Sequence, residues 1–428
     1  MAMTLIDLGD VTDGAEPAPA DRRPPPSVGR PLRALLVGLL ALLALAAAAP
    51  APSGPTLLFS RDDSAAVGYS LGDSYLLGDL FVVVEGGEGP LRVRGLTAVG
   101  LADERPRWRW TPPDGGQLRR MEPRGDGLLV STGAEGGGEE TVLLDAADGR
   151  VRWRVPGTVS LPSGDVLLLE SVRSDSVTVR AVDGATGAIR WTASTGAGAV
   201  GYGTAGDTVT AVVLVTRAGR AEVRDPHTGA VRTTLPVPPA RDGQETARVA
   251  GDLLLVDEAP DRLAGYDLVT GARRWRVPSE QTERMFAGPC ADAICLYGIG
   301  GSRVLDPATG RPRWPSDVWQ PLRMQGDRML AVRVDPGDER LGLLDPATGR
   351  VILDLAGWQL GGSPDDGATL QLTRPVSAGR LLLAELGTDG EVRPRDLLPE
   401  RAEGCGGRDR LLVCWQRSGG LRVWRLPG

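Results

Sequence analysis

Lysine and asparagine are absent from this chain of 428 residues, and its single histidine is His227. All other basic side chains are arginines, a usage that a GC-rich genome explains. The net charge of −7 gives no support for nucleic-acid binding, which needs clustered positive surface to meet phosphates. Its acidity favours solubility. Glycine and proline together exceed a fifth of the residues, so outside the N-terminal segment long helices have little room and turns must be frequent. Cysteine is scarce as well: Cys290, Cys295, Cys405 and Cys414 all lie in the last third.

Residues 1–31 carry several Pro and Ala, few large apolar side chains and an acidic run at Asp7, Asp10, Asp13 and Glu16, the composition of a disordered tail. The stretch Ala34–Ala49 is entirely apolar or small and follows Arg22, Arg23, Arg30 and Arg33. Its sixteen residues would span roughly 24 Å as a helix, against about 30 Å of bilayer core, and snorkelling by Arg33 with the added reach of Pro31–Leu32 covers the difference. Residues 32–49 are therefore expected to form a transmembrane signal anchor. A cleaved signal peptide is the rival reading, since Ala46–Ala51 offers Ala-x-Ala sites, but the charged leader favours the anchor. The arginine bias places the tail in the cytoplasm and everything after Pro50 outside. Residues 50–55, with Pro50, Pro52 and Pro55, read as a stiff spacer holding the rest off the membrane.

From there a single frame recurs. It is clearest at Asp306–Trp314, Asp-Pro-Ala-Thr-Gly-Arg-Pro-Arg-Trp. Asp306 can accept backbone NH bonds as an Asx-turn, Pro307 presets φ, and Gly310 supplies the positive φ of a tight strand connection. The same turn and ring return at Asp145, Gly149 and Trp153; at Asp183, Gly187 and Trp191; and at Asp267, Gly271 and Trp275. Asp225 with Gly229 has Thr233 where the Trp is expected, and Asp345 with Gly349 has Leu353 there. Successive copies lie 38 to 42 residues apart, a period that signals a repeat architecture.

Each period holds short apolar runs separated by turns. Between Gly251 and Gly271 a strand is expected at Leu253–Val256 and another at Leu263–Asp267, with a third at Arg273–Val277 and a fourth between Glu283 and Ala287. Four short strands per period is the measure of a propeller blade. No unit shows helical spacing. Worn copies near residues 100, 386 and 425, the first with Trp108 in register, bring the count to nine, while eight is the more usual size and the indistinct ends keep it open. The chain stops where a last outer strand should begin, so Thr56–Arg61 is expected to supply that strand and close the ring, removing sheet edges. The fold expectation is all-β: one propeller of four-stranded blades over 56–428, preceded by one transmembrane helix.

The Asp-x-x-Thr-Gly-x-x-x-Trp frame in Ala181–Trp191, Gly265–Trp275 and Val304–Trp314 resembles the pyrroloquinoline-quinone-like (PQQ-like) propeller repeat. The resemblance implies that Trp108, Trp153, Trp191, Trp275 and Trp314 dock between neighbouring blades. The family includes quinoprotein dehydrogenases, which carry an adjacent cysteine pair against the cofactor and Asn and acidic ligands for calcium. This chain has neither adjacent cysteines nor Asn, so no residue is carried over to a cofactor or metal site, and pyrroloquinoline quinone with calcium stays an alternative only. Another member type is a lipid-anchored propeller that helps assemble outer-membrane proteins; the first cysteine here, Cys290, is no lipobox residue.

The remaining constellations read as structure. Cys-x4-Cys and Cys-x8-Cys fit no familiar zinc spacing, whereas facing positions of a hairpin come within disulfide range, so Cys290–Cys295 and Cys405–Cys414 staples are expected outside the cytoplasm. His227 sits inside an Asp turn with no evident partner. The glycine run Gly136–Gly138 lacks the Lys and helix of a phosphate cradle. Arg105, Arg107 and Arg109 alternate with Trp108 and Trp110 as on a half-buried outer strand, with a partner surface as the other reading. No catalytic residue emerges. The expected function is a membrane-anchored extracytoplasmic scaffold for protein or cell-envelope partners; a small-ligand or quinone-binding propeller, oxidoreductase-like, and a sensory ectodomain are the alternatives.

Overall fold

Leu253–Val256 is four consecutive apolar residues without exposed surface. Side chains alternate across a strand, so burying all four requires packing on both faces. Leu253 and Leu255 pack in one cluster with Ile294 and Leu296, about forty residues onward. Leu254 and Val256 pack in another with Val213 and Val215, about forty residues back. Each blade is thus a slab between two others.

The computed structural model describes residues 55–61, 75–86, 93–113, 117–133, 138–173, 176–196, 198–205, 208–239, 247–259, 262–278, 286–298, 301–335, 338–362, 369–376, 379–398, 404–408, 411–416 and 420–426. Among them no helix is long and apolar enough to cross a membrane. The expected tail, the anchor at 32–49 and residues 50–54 of the spacer lie outside the described residues, as do residues 136 and 137 of the glycine run.

The described residues form nine four-stranded antiparallel blades, the number that the turn count reaches rather than the more usual eight. Blades 1 to 8 take residues 75–110, 117–156, 158–196, 199–236, 247–278, 286–316, 319–355 and 359–398 in order. Blade 9 takes its three inner strands from 404–425 and its outer strand from Thr56–Arg61, which pairs antiparallel with Leu421–Arg425. Nine apolar clusters fill the nine seams, the last joining Phe81, Val83 and Leu101 of blade 1 to Val413, Leu421 and Val423 of blade 9. Blades 8 and 9 also touch along their innermost strands through one parallel pair, Gly362 with Gly407.

Strand ends differ slightly from those read off the sequence. The strand expected around Glu283–Ala287 is observed as Phe286–Cys290, which draws Cys290 into the ladder. Outer strands are blunted against stray pairing by arginine and proline: Pro106–Trp110, Val151–Pro156 and Arg273–Pro278 each carry both.

Candidate functional site

The Asp turns line one rim of the ring. In each, an aspartate Oδ1 accepts the amide NH groups that follow: Ala185 and Thr186 donate to Asp183 at 3.2 and 2.9 Å, and the Thr186 hydroxyl donates at 2.9 Å. Thr309 donates to Asp306 in the same way, amide and hydroxyl each at 2.9 Å. Gly149, Gly187, Gly229, Gly271, Gly310 and Gly349 all adopt φ between 69° and 74°. At Gly187 a second demand applies, because a Cβ there would stand 2.6 Å from Trp153 Cγ of the preceding blade. That ring lies over the glycine and its Nε1 donates to Gly184 O at 3.2 Å. Trp108 reaches Ala146 O at 2.7 Å, Trp191 reaches Pro226 O at 3.0 Å, Trp275 reaches Pro307 O at 2.8 Å and Trp314 reaches Pro346 O at 2.9 Å. Every one of these five rings is therefore a wedge hydrogen-bonded to the next blade's turn.

The seams without tryptophan are filled by other means. Beside Thr233, a Cβ on Gly271 would meet Leu235 Cδ2 at 2.8 Å, so the leucine stands where a ring stands elsewhere. Beside Leu353, the turn of blade 8 is reached by Arg328, which packs over Gly390 and donates to Asp389 O.

The linear sequence places an arginine immediately before these rings but does not display its partners. Arg152 bridges Asp126 and Asp145, the latter at 2.7 Å; Arg190 bridges Asp165 and Asp183; Arg274 bridges Asp252 and Asp267; Arg313 bridges Asp292 and Asp306 at 2.8 and 3.4 Å. These pairs join the two turns at the foot of one blade. The Thr270 amide and the Arg274 guanidinium hold the Asp267 carboxyl down at about 2. The Arg152 guanidinium, helped by the Ala147 amide, likewise lowers Asp145. His227 is exposed, its amide donating to Asp225 Oδ1 at 2.9 Å. Arg107 pairs with Asp103 at 2.9 Å and Arg109 with Glu85, on the exposed face of a strand whose Trp108 and Trp110 are buried.

The ring of turns is architecture. A different place has the shape of a binding site: a cleft of about 190 Å³ between the inner strands of blades 6 and 7. Its blade 6 wall is Gly288, the Cys290–Cys295 disulfide and Tyr297; its blade 7 wall is Pro321, Leu322, Arg323, Met324 and Met329. Leu322 is the unpaired residue of a β-bulge between Pro321 and Arg323, and the extra residue turns it outward, 47% exposed. Phe286 stands 5.9 Å, centroid to centroid, from Tyr297 and is 70% exposed. Cys290 pairs in register with Ala293 and not with Cys295, so this disulfide runs diagonally with Cα atoms 5.8 Å apart. Cys405 and Cys414 face each other directly, with Cα atoms 4.1 Å apart, across the two innermost strands of blade 9. Among the described residues no group of acidic, histidine or cysteine side chains could hold a metal ion.

Residues 94–258 match a PQQ-repeat family model described as outer membrane protein assembly factor BamB. No curated protein matches the chain. Among solved structures the chain is similar to BamB from Moraxella catarrhalis, at 16% identity and a TM-score of 0.37 over 87% of this chain and 98% of that one. It is also similar to the quinohemoprotein alcohol dehydrogenase from Comamonas testosteroni, at 11% identity and a TM-score of 0.43 over 88% of this chain and 78% of that one. The computationally designed Ika8 protein is similar at 14% identity and a TM-score of 0.44, covering 73% and 96%.

Proposed function

We propose that this chain, a β-propeller of PQQ-like repeats, is an extracytoplasmic interaction scaffold held at the cell membrane by residues 32–49, with a protein or cell-envelope partner docking at the cleft between blades 6 and 7. The observation that carries the reading is Phe286, a large ring 70% exposed and set against Tyr297, which lines a ready-formed cleft. Aromatic residues and methionine are enriched at the cores of protein interfaces, and Tyr297 and Met324 line the cleft together with Leu322. The wall beneath them is fixed by the disulfide and by the hydrogen bond from Gln320 Nε2 to Gly298 O at 3.1 Å, so little ordering is needed on binding. The matched family model is described as an assembly factor, a role that consists of binding, and this supports the same reading. The arginines before the apolar run support the orientation.

Crosslinking of the full chain in its native membrane is expected to recover one repeatable partner. Phe286→Ala with Leu322→Ala should cut that recovery about tenfold while leaving the melting temperature unchanged, since both side chains are exposed. Recovery of the propeller alone, or recovery indifferent to the two substitutions, would overturn the docking site. Protease added to intact spheroplasts should digest the propeller; protection would overturn the placement.

A further inference from the structure

Blade 7 breaks the pattern of the outer edge. Among the nine outer strands, Val351–Leu355 is the one with neither arginine nor proline, the residues that blunt the others. Val351 is 39% and Ile352 44% exposed on it. Ile352 also occupies the position where Arg152, Arg190, Arg274 and Arg313 stand in their blades. Blade 7 nevertheless keeps both aspartates that such an arginine bridges. Met329 pairs with Leu344, which sets Asp327 and Asp345 in the register that Asp126 and Asp145 hold in blade 2. The nearby Arg328 is engaged elsewhere: it lies 3.8 Å from Asp327 through Nε but sends its guanidinium to Asp389 O of blade 8. Asp345 accepts the amides of Ala347 and Thr348, and no arginine pairs with it among the described residues.

We infer that the outer edge of blade 7 is a docking site for an extended segment of a partner protein, added as a fifth strand, with an arginine of that segment paired with Asp345. The backbone of Val351–Leu355 offers the ladder, Val351 and Ile352 offer apolar contact, and the Asp345 carboxylate offers the charge. A fifth strand lies about 4.8 Å outside the fourth, so an extended arginine on it reaches over Ile352 to Asp345 just past the end of the third strand. The site is on the periphery of the blade and does not depend on the cleft along its innermost strand. The opposite charge required of the segment follows from the four blades in which the equivalent aspartate is held by an arginine.

The test uses the full chain in detergent and a fluorescein-labelled heptapeptide, Ser-Val-Arg-Val-Thr-Val-Ser, read by fluorescence anisotropy. Saturable binding is expected, weakened about tenfold when Glu replaces the peptide's Arg. Ile352→Arg gives blade 7 the arginine of its neighbours, so it should fold with an unchanged or higher melting temperature and lose the peptide about tenfold. Equal binding of the Arg and Glu peptides, or undiminished binding to the Ile352→Arg variant, overturns the inference. So does sedimentation showing a dimer in the wild type that Ile352→Arg abolishes without any peptide binding, because the edge would then belong to a second copy of this chain.

Discussion

A tryptophan docked on a glycine sets the tolerance of each seam. Gly187 combines a φ of 74° with a Trp153 ring that leaves no space for a methyl group. Gly187→Ala should therefore lose more than about 1 kcal/mol in urea unfolding, beyond what an open positive-φ glycine would lose. The aspartates at these turns make acid stability a matter of single residues. Asp267 has a folded value of about 2 against an unfolded value of about 3.9, so its contribution is complete above pH 4 and disappears as the pH falls towards 2. Melting temperatures from pH 5 to pH 2 should fall more steeply for the wild type than for Asp267→Asn; equal slopes would remove this carboxylate from the account. The turn residues themselves were legible in the sequence, because Asp, Thr and Gly act on backbone within four residues. Arg152 was not, since its second partner, Asp126, is 26 residues away and is brought near only by the pairing of strands.

At the scale of the blade, the seams show that one space can be filled in more than one way. Between blades 4 and 5, Leu235 covers Gly271 and Thr233 replaces the ring. Blade 3 meets the same geometry with Trp191 and Ala193. Leu235→Ala alone should cost about 2–5 kcal/mol by opening a cavity, and adding Thr233→Trp should recover much of it, with the indole NH reaching the Leu268 carbonyl. A double-mutant cycle measures the coupling; additive losses would show that the ring does not enter the seam. Thr233 and Leu353 stand out in the sequence as departures from the frame, which is as far as a linear pattern goes. That Arg328 serves as the wedge at Gly390 is not legible there, because the contact joins residues 61 apart in different blades. Phe286 and Leu322 were missed for the same reason. A rare phenylalanine at the start of a strand was the available signal, but only the folded blades set Phe286 against Tyr297 and bring Leu322 to the same cleft as Tyr297.

For the whole molecule, closure is the property on which the rest depends. The outer strand of blade 9 comes from Thr56–Arg61, so a chain beginning at Asp62 would leave Leu421–Arg425 as a bare edge. Such a chain should aggregate or melt well below one beginning at Pro55, as checked by light scattering and calorimetry; equal behaviour would mean that the ring holds without its closing strand. What the sequence by itself determined is the unit: an Asp turn, a positive-φ glycine, short apolar strands and a period near forty, because each depends on local backbone preference and on alternation along a strand. The closing strand was also legible, from an apolar run at Thr56–Arg61 that has no blade of its own. Only the tertiary structure decided that nine blades close the ring, since that number follows from the wedge angle set by side chains packed across every seam. The same holds for the cleft and for the unblunted edge of blade 7, where function is sought: both arise from contacts that one seam or one edge lacks while its neighbours have them.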